Sequence, residues 1–255
     1  MKFIIGNWKM YPSSLKEAKF IFGGIKKVAR GVTRAKVVLC VPALFVAPLV
    51  VLGGKSKMSV GGQNCHKDDE GARTGEISSR ALKSTGATYV ILGHSERRAM
   101  GETNADIAEK TVGALRNKLI TILCVGEKER DEHGGYFTEV SNQLRASLAL
   151  FPRNASKQLI VAYEPIWAIG SSAKRVATPA DFREMSILIR RYLAEHFGKK
   201  AAFAIPVLYG GSVDDLNAEG FLREAEADGF LIGRVSLNPE KFGEVIRLAN
   251  SVKPR

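Results

Sequence analysis

The sequence predicts a closed (β/α)8 barrel, and three observations carry that prediction. Short apolar runs rich in β-branched residues alternate with longer amphipathic stretches along the whole chain. Several of these runs are apolar at nearly every position, as strands buried on both faces of a parallel sheet are. The alternation occurs eight times in 255 residues, a length usual for one such barrel. We therefore expect one barrel domain over residues 1–255, with an open doubly wound sheet as the alternative. The strand-following loops hold no GxGxxG, which weighs against a dinucleotide-binding form of that alternative.

The strands are expected at 2–8, 36–41, 58–63, 88–93, 119–125, 158–164, 203–209 and 229–233. Between them, 14–29 carries Leu15, Ala18, Ile21, Phe22 and Ile25 at the spacing of one helical face. Segments 106–115 and 138–150 repeat that spacing. Thr178 followed by Pro179 places a capping residue before a proline at the first helical position, opening a helix to about residue 196. Segments 214–224 and 239–249 complete the set.

Composition excludes several classes. Hydrophobic residues at 45% and charged residues at 25% rule out disorder and collagen-like character. No apolar stretch approaches the roughly 18 residues of a membrane span. The N-terminal apolar run is too short for a secretory signal and no cleavage site follows it, so a cytoplasmic location is expected. Cys40, Cys65 and Cys124 lie far apart, with no CxxC and few histidines. Reduced thiols are expected, with neither a disulfide framework nor a zinc module. The formal charge of +12 raises an anionic partner: nucleic acid, membrane surface or phosphorylated metabolite. The basic residues are scattered, at Lys26-Lys27, Lys55, Lys57, Arg97-Arg98, Arg190-Arg191 and Lys199-Lys200. A solvated basic surface is therefore expected, without nucleic-acid or membrane binding.

Chemistry in such a barrel sits at the C-terminal strand ends. The first strand ends Gly6-Asn7-Trp8-Lys9. Alternation puts Asn7 and Lys9 on the face of Phe3 and Ile5, with Trp8 opposite. An amide and an ammonium there suit an anionic or carbonyl-bearing ligand, although a lone strand-end lysine is more often a surface group. His94 falls where the fourth strand stops, and Ser95 is expected to cap the short helix that follows. A helix N-terminus beside an imidazole disfavours its charged form, leaving a neutral donor able to polarise a carbonyl. The bland alternative is a hydrogen-bonded structural histidine. Glu164 follows five largely apolar residues and precedes Pro165-Ile166-Trp167-Ala168-Ile169-Gly170. Covering it with apolar side chains would raise its basicity, whereas a rim salt bridge would not. Strand seven ends Tyr209-Gly210-Gly211-Ser212 and strand eight ends at Gly233-Arg234. Bare amides there suit a phosphate, and glycines also make plain turns. One desolvated carboxylate, one neutral imidazole, one lysine and a phosphate cradle together suit proton transfer beside a carbonyl on a phosphorylated substrate.

The chain resembles the triosephosphate isomerase family over essentially its whole length. The motifs are Gly6-Asn7-Trp8-Lys9-Met10, Gly62-Gln63-Asn64-Cys65, Thr74-Gly75-Glu76, Leu92-Gly93-His94-Ser95-Glu96-Arg97-Arg98, Cys124-Val125-Gly126-Glu127, Ala162–Gly170 and Tyr209-Gly210-Gly211-Ser212-Val213. The resemblance implies interconversion of dihydroxyacetone phosphate and glyceraldehyde 3-phosphate with no cofactor and no metal. It implies Glu164 as base, His94 as electrophile, Lys9 and Asn7 as substrate ligands, and Glu96 as a partner of Lys9. Gly170, Gly211, Ser212, Gly233 and Arg234 would hold the phosphate. Segment 165–177 would be a lid that excludes water from an enediolate. It also implies a homodimer through the loop from Cys65 to Glu76, with Thr74 reaching toward the partner subunit.

Three departures stand out. The stretch from Ser171 to Ala177 makes the lid about two residues longer than the family pattern Thr-Gly-Lys-Thr-Ala, with Ser172 or Ala173 near the family's second glycine. Arg234 stands where the family has glycine after strand eight, and its side chain is expected to point to solvent. Arg73 replaces a residue that is often aromatic or histidine. A barrel isomerase for a larger sugar phosphate, and a basic nucleic-acid binder with a relic site, are the competing functions.

Overall fold

The computed structural model describes residues 1–170, 173 and 175–252. Ser171, Ser172 and Lys174, inside the expected lid, lie outside the described residues. Eight parallel strands close on themselves in sequence order: β1 (Lys2–Asn7), β2 (Ala35–Cys40), β3 (Ser59–Gly62), β4 (Tyr89–Leu92), β5 (Ile120–Val125), β6 (Leu159–Tyr163), β7 (Val207–Tyr209) and β8 (Gly229–Ile232). Closure is made by β1, where Ile5 pairs with Val38 on one side and Leu231 on the other. The open-sheet alternative is thereby excluded.

Side-chain alternation divides the apolar residues into two cores. Ile5, Val38, Cys40, Tyr89, Ile91, Ile122, Cys124, Ile160, Ala162, Leu208 and Leu231 fill the barrel. Their neighbours in sequence, such as Ile4, Leu39, Val90, Leu123 and Val161, pack outward against the helices. Both faces are buried, which is why the strands read as continuous apolar runs.

Ten α-helices surround the strands among the described residues: α1 (Leu15–Ala29), α2 (Ala43–Gly53), α3 (Ser79–Ser84), α4 (Ser95–Ala99), α5 (Asn104–Arg116), α6 (Gly135–Ser147), α7 (Pro179–Phe197), α8 (Lys199–Ala204), α9 (Ala218–Arg223) and α10 (Pro239–Ser251). The expected cap at Thr178 is present as a capping box with Asp181. None is long and apolar enough to cross a membrane.

Two expectations need correction, and one helix was not foreseen. Residues 203–206 are not strand: Phe203 and Ala204 lie in α8, Ile205 caps that helix in an extended conformation favoured by the following Pro206, and β7 begins at Val207. The helix expected at 214–224 is confined to α9, because the Asp214 carboxylate accepts from the backbone amides of Leu216 and Asn217 and makes a turn. The helix α2 carried no sequence signal, being apolar on all sides with Pro48 inside it.

Candidate active site

The C-terminal strand ends surround one cleft of about 950 Å³, lined by Asn7, Lys9, His94, Glu96, Glu164, Gly170, Gly211, Ser212, Gly233 and Arg234. Every residue expected at the site thus faces a common space. Parity accounts for two of them. Asn7 and Glu164 continue the inward series of Ile5 and Ala162, while Trp8 and Tyr163 belong to the outer core.

His94 needs a further device. The inward series of β4 is Tyr89 and Ile91, so simple alternation would send residue 94 outward. Gly93 takes φ +71°, open to glycine but strained for others, and turns the chain so that His94 faces the cleft. The histidine itself, rather than Ser95, caps α4: its Nδ1 accepts from the Glu96 amide at 3.2 Å. A ring nitrogen that accepts an N–H carries no proton, so the neutral ring bears its hydrogen on Nε2. That Nε2 lies 3.0 Å from Oε1 of Glu164. The other carboxylate oxygen accepts from the Ser95 amide at 2.9 Å. Both side chains are shielded, with Glu164 3% and His94 7% exposed.

Lys9 also takes a left-handed backbone, φ +52°, and three bonds hold the turn. Its amide donates to Asn7 Oδ1 at 3.0 Å, and Gln63 Nε2 donates to Lys9 O at 2.8 Å and to Asn7 Oδ1 at 3.2 Å. Its ammonium reaches Glu96 Oε1 at 2.6 Å. At the opposite rim, a Cβ on Gly211 would lie 2.2 Å from the Tyr209 hydroxyl, so only glycine fits there. The amides of Gly211 and Ser212 donate to no acceptor among the described residues, and the Arg234 side chain is exposed.

Sequence reasoning gave Gln63, Arg98 and Glu127 no role. Arg98 Nε donates to Gly93 O at 2.7 Å, bracing the turn that presents His94. Gly126 lets the chain pass against β6: a Cβ there would sit 1.8 Å from Glu164 O. Glu127 then anchors the start of the expected lid. Its Oε1 accepts from Tyr163 OH at 2.6 Å, Trp167 Nε1 at 2.7 Å and Arg130 Nε at 3.2 Å. The signal available for Gln63 and Glu127 was their position just beyond strand ends.

Fold and cleft define an enzyme of the (β/α)8 class with its polar groups gathered at the strand C-termini. A family model for triosephosphate isomerase matches residues 2–249. The triosephosphate isomerase of Moorella thermoacetica is 40% identical over 245 residues, 95% of this chain and 96% of its own. That of Coprinopsis cinerea is 40% identical over 247 residues, 96% of each chain. The crystal structure of triosephosphate isomerase from Bartonella henselae has a TM-score of 0.83 at 36% identity, covering 97% of this chain and 98% of that one. The chain belongs to the triosephosphate isomerase family, and so to the intramolecular aldose–ketose isomerases.

Proposed function

We propose that this chain interconverts dihydroxyacetone phosphate and glyceraldehyde 3-phosphate, a step of glycolysis and gluconeogenesis, through an enediolate and without cofactor or metal. The observation that carries the reading is the buried pair of Glu164 and a neutral His94 whose Nε2–H points at the carboxylate. The Glu164 carboxylate takes a proton from the carbon beside the carbonyl, and the electron pair moves onto the carbonyl oxygen. The hydroxyl on the deprotonated carbon then passes its proton to the former carbonyl oxygen, and Glu164 returns its own proton to the former carbonyl carbon as the new carbonyl forms beside it. For this it must leave Ser95 and His94, freeing Nε2–H to donate to the substrate oxygen in its place. Asn7 and the Lys9 ammonium bind substrate, and Lys9 opposes the charge that develops on the oxygens, with Glu96 positioning it. The phosphate sits on the main-chain amides of Gly170, Gly211, Ser212, Gly233 and Arg234. Lid closure over 165–177 keeps water from the enediolate.

Purified protein is expected to turn over either triose phosphate in a coupled assay with no added metal. Glu164→Asp should keep substrate binding but lose about 100-fold or more in kcat, because the shortened carboxylate misses its carbon. Full activity in that variant removes Glu164 from the role of base.

A second copy of the chain completes the assembly through the loop from Cys65 to Glu76. In support, Arg73, Thr74 and Glu76 are exposed, as are the large apolar side chains of Met10, Leu44 and Met100. Sedimentation should give twice 27.8 kDa; a species of single mass at micromolar concentration would contradict it. The three thiols are buried and unpaired, and burial pushes that of Cys65 up to about 12, in keeping with a reducing, cytoplasmic setting.

A further inference from the structure

From Ala18 to Lys67 the chain has nine Lys or Arg and no Asp or Glu. These cations are scattered in sequence, but the fold gathers several of them. At the N-terminal end of the barrel, between the last turns of α1 and α2 and the lead into β3, lies a cleft of about 380 Å³. Lys26, Arg30, Lys55 and Lys57 line it, with Met58 among its apolar residues. None of these four cations forms an ion pair among the described residues. Lys26 Nζ donates to Leu52 O at 2.6 Å, which fixes it at the rim and leaves donors over. Lys36 Nζ donates to Lys57 O at 2.9 Å and ties down the segment leading into β3. Ser56 also lines the cleft, and its hydroxyl is buried with no hydrogen-bond partner among the described residues.

The simplest alternative is that these cations neutralise the carbonyl ends of α1 and α2. Two helix C-termini contribute roughly −0.5 each, about one charge against four. A surplus of about three positive charges, converging on a concave surface, remains to be explained. No aromatic ring lines the cleft, so it lacks the stacking platforms of single-stranded nucleic-acid sites. Its volume lies in the range of small-molecule sites. We propose that this cleft is a second anion site, on the barrel face opposite the active site, for a small ligand carrying two or more phosphate groups.

The test is calorimetric titration of the full-length protein with inorganic tripolyphosphate and, separately, with a hexose bisphosphate, at near-physiological salt. Saturable binding of either supports the site, and the tighter arm tells an inorganic from an organic source. Lys55→Glu/Lys57→Glu should weaken binding at least about tenfold, and Arg30→Gln about threefold, since each removes attraction from a converging set. The kcat/KM of both variants should stay within about twofold of the parent, because none of these residues lines the catalytic cleft. That separates the new site from phosphate competition at the active site, which would persist unchanged in the variants. Equal affinity in parent and both variants overturns the proposal, as does an equal response to sulfate at matched ionic strength. Binding of a 20-nucleotide single-stranded RNA more tightly than tripolyphosphate, lost in the same variants, also overturns it in favour of a nucleic-acid surface.

Discussion

Two carboxylates, Glu127 and Glu164, stand just beyond adjacent strands β5 and β6, and both are buried. Their surroundings are opposite in kind. Glu127 Oε1 receives a phenol, an indole N–H and a guanidinium, and the Arg130 that supplies the last also reaches Glu184 Oε2 at 2.5 Å. Burial, reinforced by Glu127, holds the Tyr163 phenol well above its usual range, so it remains a donor at any working pH. Glu164 receives one backbone amide and one uncharged imidazole, with no Lys or Arg in an ion pair among the described residues. A buried carboxylate with a bound cation is costly to disturb and serves as an anchor. One held by neutral donors is more easily released, as the proposed base, which must swing toward a substrate, requires.

Substitution by glutamine should separate the two most sharply. Glu164→Gln removes the proposed base and is expected to lower kcat by about 10²–10⁴-fold while the melting temperature changes little. Glu127→Gln should do the reverse. It leaves Arg130 and the two donors with a weaker acceptor, at a cost of about 1–3 kcal/mol in denaturant unfolding. Its kcat should fall far less than that of Glu164→Gln. Equal losses of turnover in the two variants would dissolve the distinction between base and anchor.

Legibility in the sequence follows the same division. Asn7 was readable because strand parity depends only on counting by two from Ile5, and Glu164 because it ends an apolar run and precedes an apolar loop. The barrel was readable because eight apolar runs report burial on both faces. His94 was placed at the right strand end, but its direction depends on the positive φ of Gly93 and the brace from Arg98. The left-handed turn at Lys9 is equally invisible, since a lysine gives no hint of it and Gln63 holds it from another strand. The anchor joins residues 127, 130, 163, 167 and 184, a set that only tertiary packing unites. The helix α2 was silent because uniform apolarity has no period to detect.

The C-terminal side of the proposed lid offers a smaller version of the anchor. Asp181 closes the capping box at Thr178 and accepts two bonds from Arg175, at 2.6 and 2.7 Å. The Arg175 hydrogen bonds, followed by those from Thr178, depress the Asp181 carboxyl below the usual carboxylate range. A depressed carboxyl contributes its stability fully above the unfolded value of about 4 and loses it as pH falls from there toward the folded value. Asp181→Asn should therefore cost about 1 kcal/mol at neutral pH through the lost cap. The difference in melting temperature between parent and variant should narrow as pH falls below 4, and a constant difference would show that the carboxylate's charge contributes nothing.

Arg175→Ala tests the same strap from the other end and should have the smallest effect. The guanidinium also lies over the Trp167 ring, 4.4 Å from its centroid, so one side chain joins the lid's two flanks. Because Arg175 is half exposed, the pair is screened, and its loss should cost less than about 1 kcal/mol. The informative readout is kinetic. Glu127 holds Trp167 from below whether or not Arg175 is present, so the anchored flank should keep its place while the far flank loosens. The expected result is a rise in KM of a few-fold with kcat nearly unchanged, because closing a looser lid draws on substrate-binding energy. A fall in kcat with KM unchanged would instead place Arg175 among the groups that act only in the transition state, and the lid's two flanks would no longer differ in kind.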